Sequence, residues 1–392
     1  MSERIIQLNP DLGFVKDVIN AGGESLKKCY QCATCSVVCN VSPDESPFPR
    51  KEMIQAQWGL KDELFKNPDI WLCHQCSDCT AYCPRGAKPG EVLGAIRKMS
   101  IEEFSAPRFL AKIVNQPAAL IFLFAVPLAI ILAFVAGQGF LNFSNVPLVD
   151  GKIEYGKFLF SLKYVDPLFT AIAVFALVSL AMGAMKYWKA MYSGLPAGRM
   201  PAKPLGTAIS ETFKDILAHD RFKKCEVNKA RSTAHMLVFY SFIGLFITTC
   251  LAFGKVIVEP ETGYLAYLGH PVEVSPALLT GLVAVYKIIG NASAAALIIG
   301  IILVMSNRMK NAAKAGVGSY YDWLFISIVA GLGITGLLSE LFRLANTPIA
   351  YPTYMIHLCF VFFLFAYAPY SKMAHMFYRA TAMVFGKMTG RE

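Results

Sequence analysis

The chain has 392 residues, a formal net charge of +10 and a 55% hydrophobic composition, with a mean hydropathy of +0.46. So apolar a chain is not a soluble two-domain protein; it points to membrane spans. The positive balance comes with no nucleic-acid motif, and it fits loop charge that orients a membrane protein.

Residues 1–110 carry Pro, Cys and charge throughout, whereas from about residue 117 long apolar stretches alternate with short polar connections. The start, MSERIIQLNPDLGFVKDVIN, carries both signs of charge, unlike a secretory signal. Eight of the eleven cysteines form two copies of one pattern. Cys29, Cys32, Cys35 and Cys39 are spaced C-x2-C-x2-C-x3-C; Cys73, Cys76, Cys79 and Cys83 repeat the spacing, and Pro84 follows. A [4Fe–4S] cube needs four thiolates. Three cysteines at this spacing wrap three corners, and the fourth comes from the other run. That rule assigns Cys29, Cys32, Cys35 and Cys83 to one cluster, and Cys73, Cys76, Cys79 and Cys39 to the second. Structural zinc favours paired C-x2-C motifs and fits two runs of four poorly. A disulfide framework fits less well still, because these cysteines read as reduced and metal-binding. His74, inside the second run, is expected to tune or shield a cluster rather than ligate it. Cys250 and Cys359 read as small apolar fillers. Cys225, in the basic stretch RFKKCEVNK, carries no assigned role.

Around the cysteines the pattern predicts a small helical core. Residues 50–66 put Met53, Ile54, Trp58 and Leu64 near one helical face, bridging the two runs. A second helix is predicted after Pro89, from Glu91 to Glu103, bearing Val92, Leu93, Ile96 and Met99.

Six stretches are long and apolar enough to cross a bilayer: 117–137, 167–188, 234–256, 277–305, 321–343 and 352–371. The connection 189–233, the connection 307–319 and the tail are rich in Lys and Arg, whereas 257–276 has neither and holds Glu259, Glu261 and Glu273. The positive-inside rule therefore puts both termini in the cytoplasm of a multi-pass inner-membrane protein. The expected fold is mainly α: a cytoplasmic two-[4Fe–4S] ferredoxin-type domain (1–110), transmembrane helices 1–2 (111–190), a basic connection (191–233), and a bundle of helices 3–6 with a cytoplasmic tail (234–392).

Of six histidines, three sit in or beside spans. His235 opens the third span, His357 lies toward the outer end of the sixth, and His375 follows that span. Ionisable groups in spans are functional candidates. On one continuous helix, His357 and His375 would be about five turns and ~27 Å apart, facing the same way; Pro369 lies between them as a potential kink. Two stacked histidines suit haem b at two depths. His235 pairs naturally with His375. His270 is the outer-side candidate to partner His357. His219, in ILAHDRF, reads as a surface residue.

These stretches carry a resemblance. Residues 25–105 resemble the C subunit of heterodisulfide reductase. Residues 230–385, through RSTAHMLVFYSFIGLF and MIHLCFVFFLFAYAPYSKMAH, resemble the haem b membrane subunit of respiratory nitrate reductase. Leu245 stands ten residues after His235, where that family has a second histidine. The two parts fused in one chain resemble the C subunit of the quinone-interacting membrane-bound oxidoreductases of sulfate-reducing prokaryotes. The resemblance implies a four-helix haem b bundle and electron exchange with menaquinone. It also implies flavin and iron–sulfur partner subunits, with adenylylsulfate reductase as the eventual acceptor in dissimilatory sulfate reduction. The alternative is an equivalent subunit of a heterodisulfide-reductase-like or sulfite-reduction complex.

Polar residues toward the outer span ends are quinone-site candidates: Lys255, Lys287, Tyr286, Glu340 and Arg343. Lys255 can snorkel to the interface, and Glu340 and Arg343, three apart, can pair on one helix. No G-x-G-x-x-G opens a helix after a strand, so the chain lacks a complete substrate site at its soluble end. Lys27, Lys28, Arg50, Lys51, Arg85 and Lys88 are candidates to dock a partner. No repeated halves or broken-helix pairs suggest a transporter.

Overall fold

The computed structural model describes residues 8–141, 148–159, 163–195, 201–226, 230–259, 263–270, 272–312 and 318–391, and most of them are helical. Helix α1 (Leu12–Asn20) starts where the Asp11 carboxylate accepts from the Phe14 N–H at 3.0 Å, satisfying one of the free donors of a first turn. The helix expected over 50–66 is two helices, α2 (Arg50–Gln57) and α3 (Lys61–Lys66). The break is Gly59, at φ +69°, where a Cβ would come within 2.4 Å of the Asp11 carbonyl oxygen. Only glycine allows that backbone contact. The break turns Trp58 outward, 53% exposed, while Met53 and Leu64 remain buried. The second expected helix forms as α4 (Pro89–Phe104) with Pro89 in its first turn, the position proline favours. Val92, Leu93 and Ile96 face the core. Helix α5 (Arg108–Val114) then leads to the apolar part.

Among the described residues, five helices are long and apolar enough to cross a bilayer. They are α6 (Leu120–Gly137, preceded by a short turn from Pro117), α7 (Val165–Ser193), α9 (Ala230–Val258), α10 (Pro276–Lys310) and α11 (Tyr320–Leu344). Helix α8 (Leu205–Ala218) lies in the connection between α7 and α9. The sixth expected span is shorter than predicted: α12 covers Ala350–Ala366, 17 residues, or about 25 Å. Two 3-10 turns follow, the first with Pro369 in its opening positions, before α13 (His375–Met388) begins. Proline cannot donate to a continuing helix, so His357 and His375 lie on separate helices and the expectation of one five-turn helix fails.

Helix α9 packs on α10, α10 on α11, and α11 on α12, which also meets α6 and α7. The α9–α10 contact is close: a Cβ on Gly244 would strike the Ser293 hydroxyl, as expected where small residues let membrane helices approach.

The N-terminal domain and the C-terminal tail share one core. Phe14, Phe48, Leu72 and Leu93 belong to the same buried cluster as Tyr187, Tyr378 and Phe385, and Trp71 stacks on Tyr378 with centroids 5.2 Å apart. Beside that core lie two fully buried carboxylates, Glu52 and Asp69. Arg391 donates to Asp69 Oδ1 at 2.8 Å and to the Ser46 carbonyl at 2.6 Å. Lys51 reaches Asp69 at 3.1 Å while its side chain stays partly exposed. Burial and then the Asp69 charge push the Glu52 carboxyl up to about 7.

Two outcomes follow. Arg391→Met strips Asp69 of its bidentate partner and should cost roughly 3 kcal/mol, seen as a lower melting temperature of the detergent-solubilised holoprotein; an unchanged value would detach the tail from the fold. Glu52 holds its proton more tightly folded than unfolded, so its contribution is full below the ordinary carboxylate pKa and is lost as pH rises through about 7. Glu52→Gln should flatten the fall in stability between about pH 5 and 7, read by melting temperature against pH.

Candidate metal centres

The two cysteine runs fold alike. Gln31 and Gln75, each two residues after the first cysteine, have φ of +62° and +51°; Ala33 and Ser77, each following the second cysteine, have +69° and +75°. Each loop then enters a one-turn helix, Thr34–Val37 or Asp78–Ala81. Left-handed residues of this kind curl a chain so that successive N–H groups face inward. The Gln75 N–H donates to Cys73 Sγ at 3.3 Å, and the Gln31 side chain donates to Cys29 Sγ at 3.4 Å.

The thiols sort by neighbour. Burial raises the Cys29 thiol, and Cys83 and Cys32 add to it. Burial, then Cys29, Cys32 and Cys83, push Cys35 up to about 11. Burial and the thiols of Cys73 and Cys76 push Cys39 up to about 12. Cys79 is raised by burial and then by Cys73, Cys76 and Cys39. The thiols that act on one another group Cys39 with the second run and Cys83 with the first; the crossed ligand sets expected from the spacing rule would need that grouping. One small cavity is lined by Cys39, Cys73, Cys76 and Cys79, with His74. His74 is 5% exposed. Its Nε2 accepts from Arg379, which can only donate, so its Nδ1 carries the proton. That Nδ1 has no acceptor among the described protein atoms. A buried donor beside four thiols suits a sulfide-rich anionic cluster.

The second run is gripped from the membrane part. Arg231 donates to the Gln75 carbonyl, and Arg379 to the carbonyls of Leu72 and Cys73 at 3.4 and 3.5 Å. Residues 219–226 lie over it as well. Asn40 donates to the Lys224 carbonyl at 3.1 Å, and the Glu226 N–H to Asp78 Oδ2 at 3.1 Å. The thiols of Cys225 and Cys76 and the Asp78 carboxylate lie within 4.8 Å of one another. Contact with Cys225, then burial, raises the Cys76 thiol.

The histidines carry a common signature. The Leu217 carbonyl can only accept, and it lies 3.3 Å from His219 Nδ1. His219 Nε2 therefore accepts, at 3.2 Å, from His235 Nδ1–H. His375 Nδ1–H donates to the Lys372 carbonyl at 2.5 Å, on a turn held by the Lys372–Asp322 ion pair. Thr335 gives its hydroxyl proton to the Gly331 carbonyl at 2.6 Å and so accepts from His357 Nδ1–H at 3.1 Å. In all three, Nδ1 is engaged in a hydrogen bond, the arrangement that in metal-ligating histidines presents Nε2 to the metal. Burial holds the His375 imidazole down to about 4. His235 and His375 are imidazoles of the kind that would hold a haem iron. His270 stands apart: it is exposed, and its backbone N–H closes on the Leu265 carbonyl at 2.8 Å.

His219 is not at the surface. It is 6% exposed, packed edge-on against Phe239 with centroids 4.8 Å apart. The backbone turns through φ +53° at this residue, between α8 and the turn Asp220–Lys223, and that reversal brings it back against α9. Neither this turn nor the burial of Cys225 has a mark in local sequence.

Toward the other end lie the quinone-site candidates Lys287, Tyr286, Glu340 and Arg343. Glu340 accepts from Arg343 at 2.7 and 2.8 Å. The Tyr155 hydroxyl donates to the Ser339 carbonyl at 2.6 Å, and its ring stacks on Tyr354. Lys255 is paired with Glu259 at 2.5 Å.

Comparison with known proteins defines the class of the N-terminal part. Residues 25–87 match the family described as 4Fe-4S dicluster domain. More particularly, the N-terminal region is similar to the C subunit of heterodisulfide reductase. It is 37% identical over 101 residues to the C subunit of the H(2):CoB-CoM heterodisulfide,ferredoxin reductase of Methanothermobacter marburgensis, covering 25% of this chain and 54% of that one. It is 38% identical over 85 residues to a protein of Archaeoglobus profundus described as like the C subunit of heterodisulfide reductase, covering 21% and 45%. It is 35% identical over 79 residues to the iron-sulfur C subunit of the CoB--CoM heterodisulfide reductase of Methanopyrus kandleri, covering 20% and 41%. The chain spans about half the length of the curated relatives it matches. No solved structure matches.

Crossed ligation has a direct check. Cys39→Ala should perturb the signal of the cluster held by the second run, and Cys83→Ala the other, in electron paramagnetic resonance of the reduced protein. The reverse pairing of variant and signal would rule it out.

Proposed function

We propose that this chain is the membrane electron-transfer subunit of a quinone-linked oxidoreductase. It exchanges electrons between menaquinone and cytoplasmic flavin and iron–sulfur partner subunits. The observation that carries the reading is the grip of Arg231 and Arg379 on the second cysteine loop, which joins that loop to the His235–His375 end of the membrane helices. The cysteines would hold two [4Fe–4S] clusters with the crossed ligand sets, and His235 with His375 would hold haem b. His357 and His270 are the remaining candidates for a second haem. When bound, these groups supply one-electron transfer.

The chain's own residues do the rest. The inward N–H groups of the two loops stabilise negative charge on bound sulfide and thiolate. His219, Lys372 and Thr335 fix the tautomers that leave Nε2 of their partner histidines free. The Glu340 carboxylate, paired with Arg343, offers an acceptor for protons on their way from a quinol to water, and we assign the quinone site beside it, with Lys287 and Tyr286 as its other candidate residues. The reading puts both termini on the cytoplasmic side, which the positive balance of the loops supports. In the most specific form of the reading, the partners pass electrons to adenylylsulfate reductase in dissimilatory sulfate reduction. A second reading, in which the same subunit serves a heterodisulfide-reductase-like complex, is favoured by the names of the relatives above.

The purified protein should give a b-type pyridine haemochrome and about eight iron atoms in clusters by the ligand count. Its haem should be reduced by a short-chain menaquinol analogue, and Lys287→Leu should slow that reduction at least ~10-fold, equivalent to about 1.4 kcal/mol. A haem-free preparation would sink the membrane half of the reading; unchanged reduction in Lys287→Leu would remove that residue from the quinone site.

A further inference from the structure

We propose that Phe222 is the contact through which the second cysteine site, and not the first, is coupled to the His235–His375 site. Residues 219–226 would be the strap that holds it there. The inference rests on the cluster and haem assignment above and names the order of the centres within it.

Three rings form an unbroken path. His74, between Cys73 and Cys76, meets Phe222 edge-on with centroids 4.6 Å apart and an interplanar angle of 85°. Phe222 stacks on His235 with centroids 4.7 Å apart and an interplanar angle of 25°. One ring therefore touches both a residue within the cluster-binding loop and a candidate haem ligand. The strap is pinned at both ends. His219 holds His235 through the 3.2 Å imidazole contact. On the other side, Arg221 donates to the Val41 carbonyl at 3.4 Å, beside the Asn40 and Asp78 contacts already described. The Arg231 guanidinium lies 5.8 Å from the Phe222 ring centroid, so the residue that grips the Gln75 carbonyl also covers the bridging ring. The first run has different surroundings. Cys32 is exposed, and Tyr30 and Val37 beside it are 68% and 82% exposed. The first site thus faces outward, toward a soluble partner.

The step served is a bare one-electron exchange. One metal centre loses an electron as the other gains it; no bond forms or breaks and no proton moves. Quinol at the membrane end and the partner's redox group at the soluble end supply the reductant and oxidant. Such exchange decays steeply with distance and faster through a gap than through packed atoms. A ring filling the space between His74 and His235 is therefore worth far more than its packing energy.

The test uses the purified full chain in detergent, with reduced methyl viologen as donor and haem reduction followed by stopped-flow absorbance. The part of the signal that disappears in Cys76→Ala is the part carried through the second site. Phe222→Leu, which keeps an apolar filler, should slow that part at least ~10-fold, equivalent to about 1.4 kcal/mol. Iron content, haem spectrum and midpoint potentials should stay unchanged, and Phe222→Tyr should restore the rate. An unchanged rate in Phe222→Leu overturns the proposal. So does loss of the second cluster in that variant, which would make the ring a packing residue, and so does a wild-type signal with no component lost in Cys76→Ala. These outcomes differ from failure of the underlying reading, which appears as absence of haem from the wild-type protein.

Discussion

A peptide loop that turns its N–H groups inward leaves carbonyls facing outward, and buried carbonyls must find donors. The second cysteine loop meets that demand with two arginines from outside its own domain. Arg379 takes the carbonyls of Leu72 and Cys73, and Arg231 takes that of Gln75. A guanidinium suits the task because its fixed fork of donors satisfies several acceptors without losing its charge. The rest of the arrangement depends on this docking. It fixes how the metal-binding loop sits against α9 and α13, and those helices carry His235 and His375.

The two cysteine runs have nearly the same local conformation and opposite environments. Both use left-handed residues at corresponding positions. Yet one run has an exposed cysteine and exposed apolar neighbours, while the other lies beneath residues 219–226. Local sequence specifies the loop, and tertiary contacts specify its role. In the proposed reading this divides labour within the dicluster unit: an inner site exchanges electrons with the membrane part, and an outer site exchanges them with a partner.

What could be read from sequence follows the same division. The cysteine spacing, the helix over 89–104 and most spans depend on residues close together in the chain, and they appear where expected. The break at Gly59 is made by Asp11, distant in sequence, and amphipathic periodicity across 50–66 has no term for it. Pro369 marks the end of α12, and it overrides the spacing of His357 and His375, which taken alone fits one face of one helix. His219 and Cys225 stand in a basic connection, and charge there reads as solvated surface. Their burial comes from the reversal at His219 and from the hydrogen bonds that tie residues 224–226 to the cysteine runs.

Leu245 joins these points to the membrane end. It packs against the core of Leu297, Ile301 and Val329, so that face of α9 is occupied by apolar contacts with α10 and α11. His357, one helix further along the row, nonetheless keeps the tautomer of a ligand through Thr335. The two sites are therefore unequal. In the proposed reading, the inner one has two histidines held by separate hydrogen bonds, and the outer one has a single prepared histidine. Because exchange weakens steeply with distance, a quinone at the outer end would need an acceptor on its own side of the membrane to reach the inner pair. On that reading, the state of His357 decides whether the quinone and the clusters communicate across the full depth of the bundle.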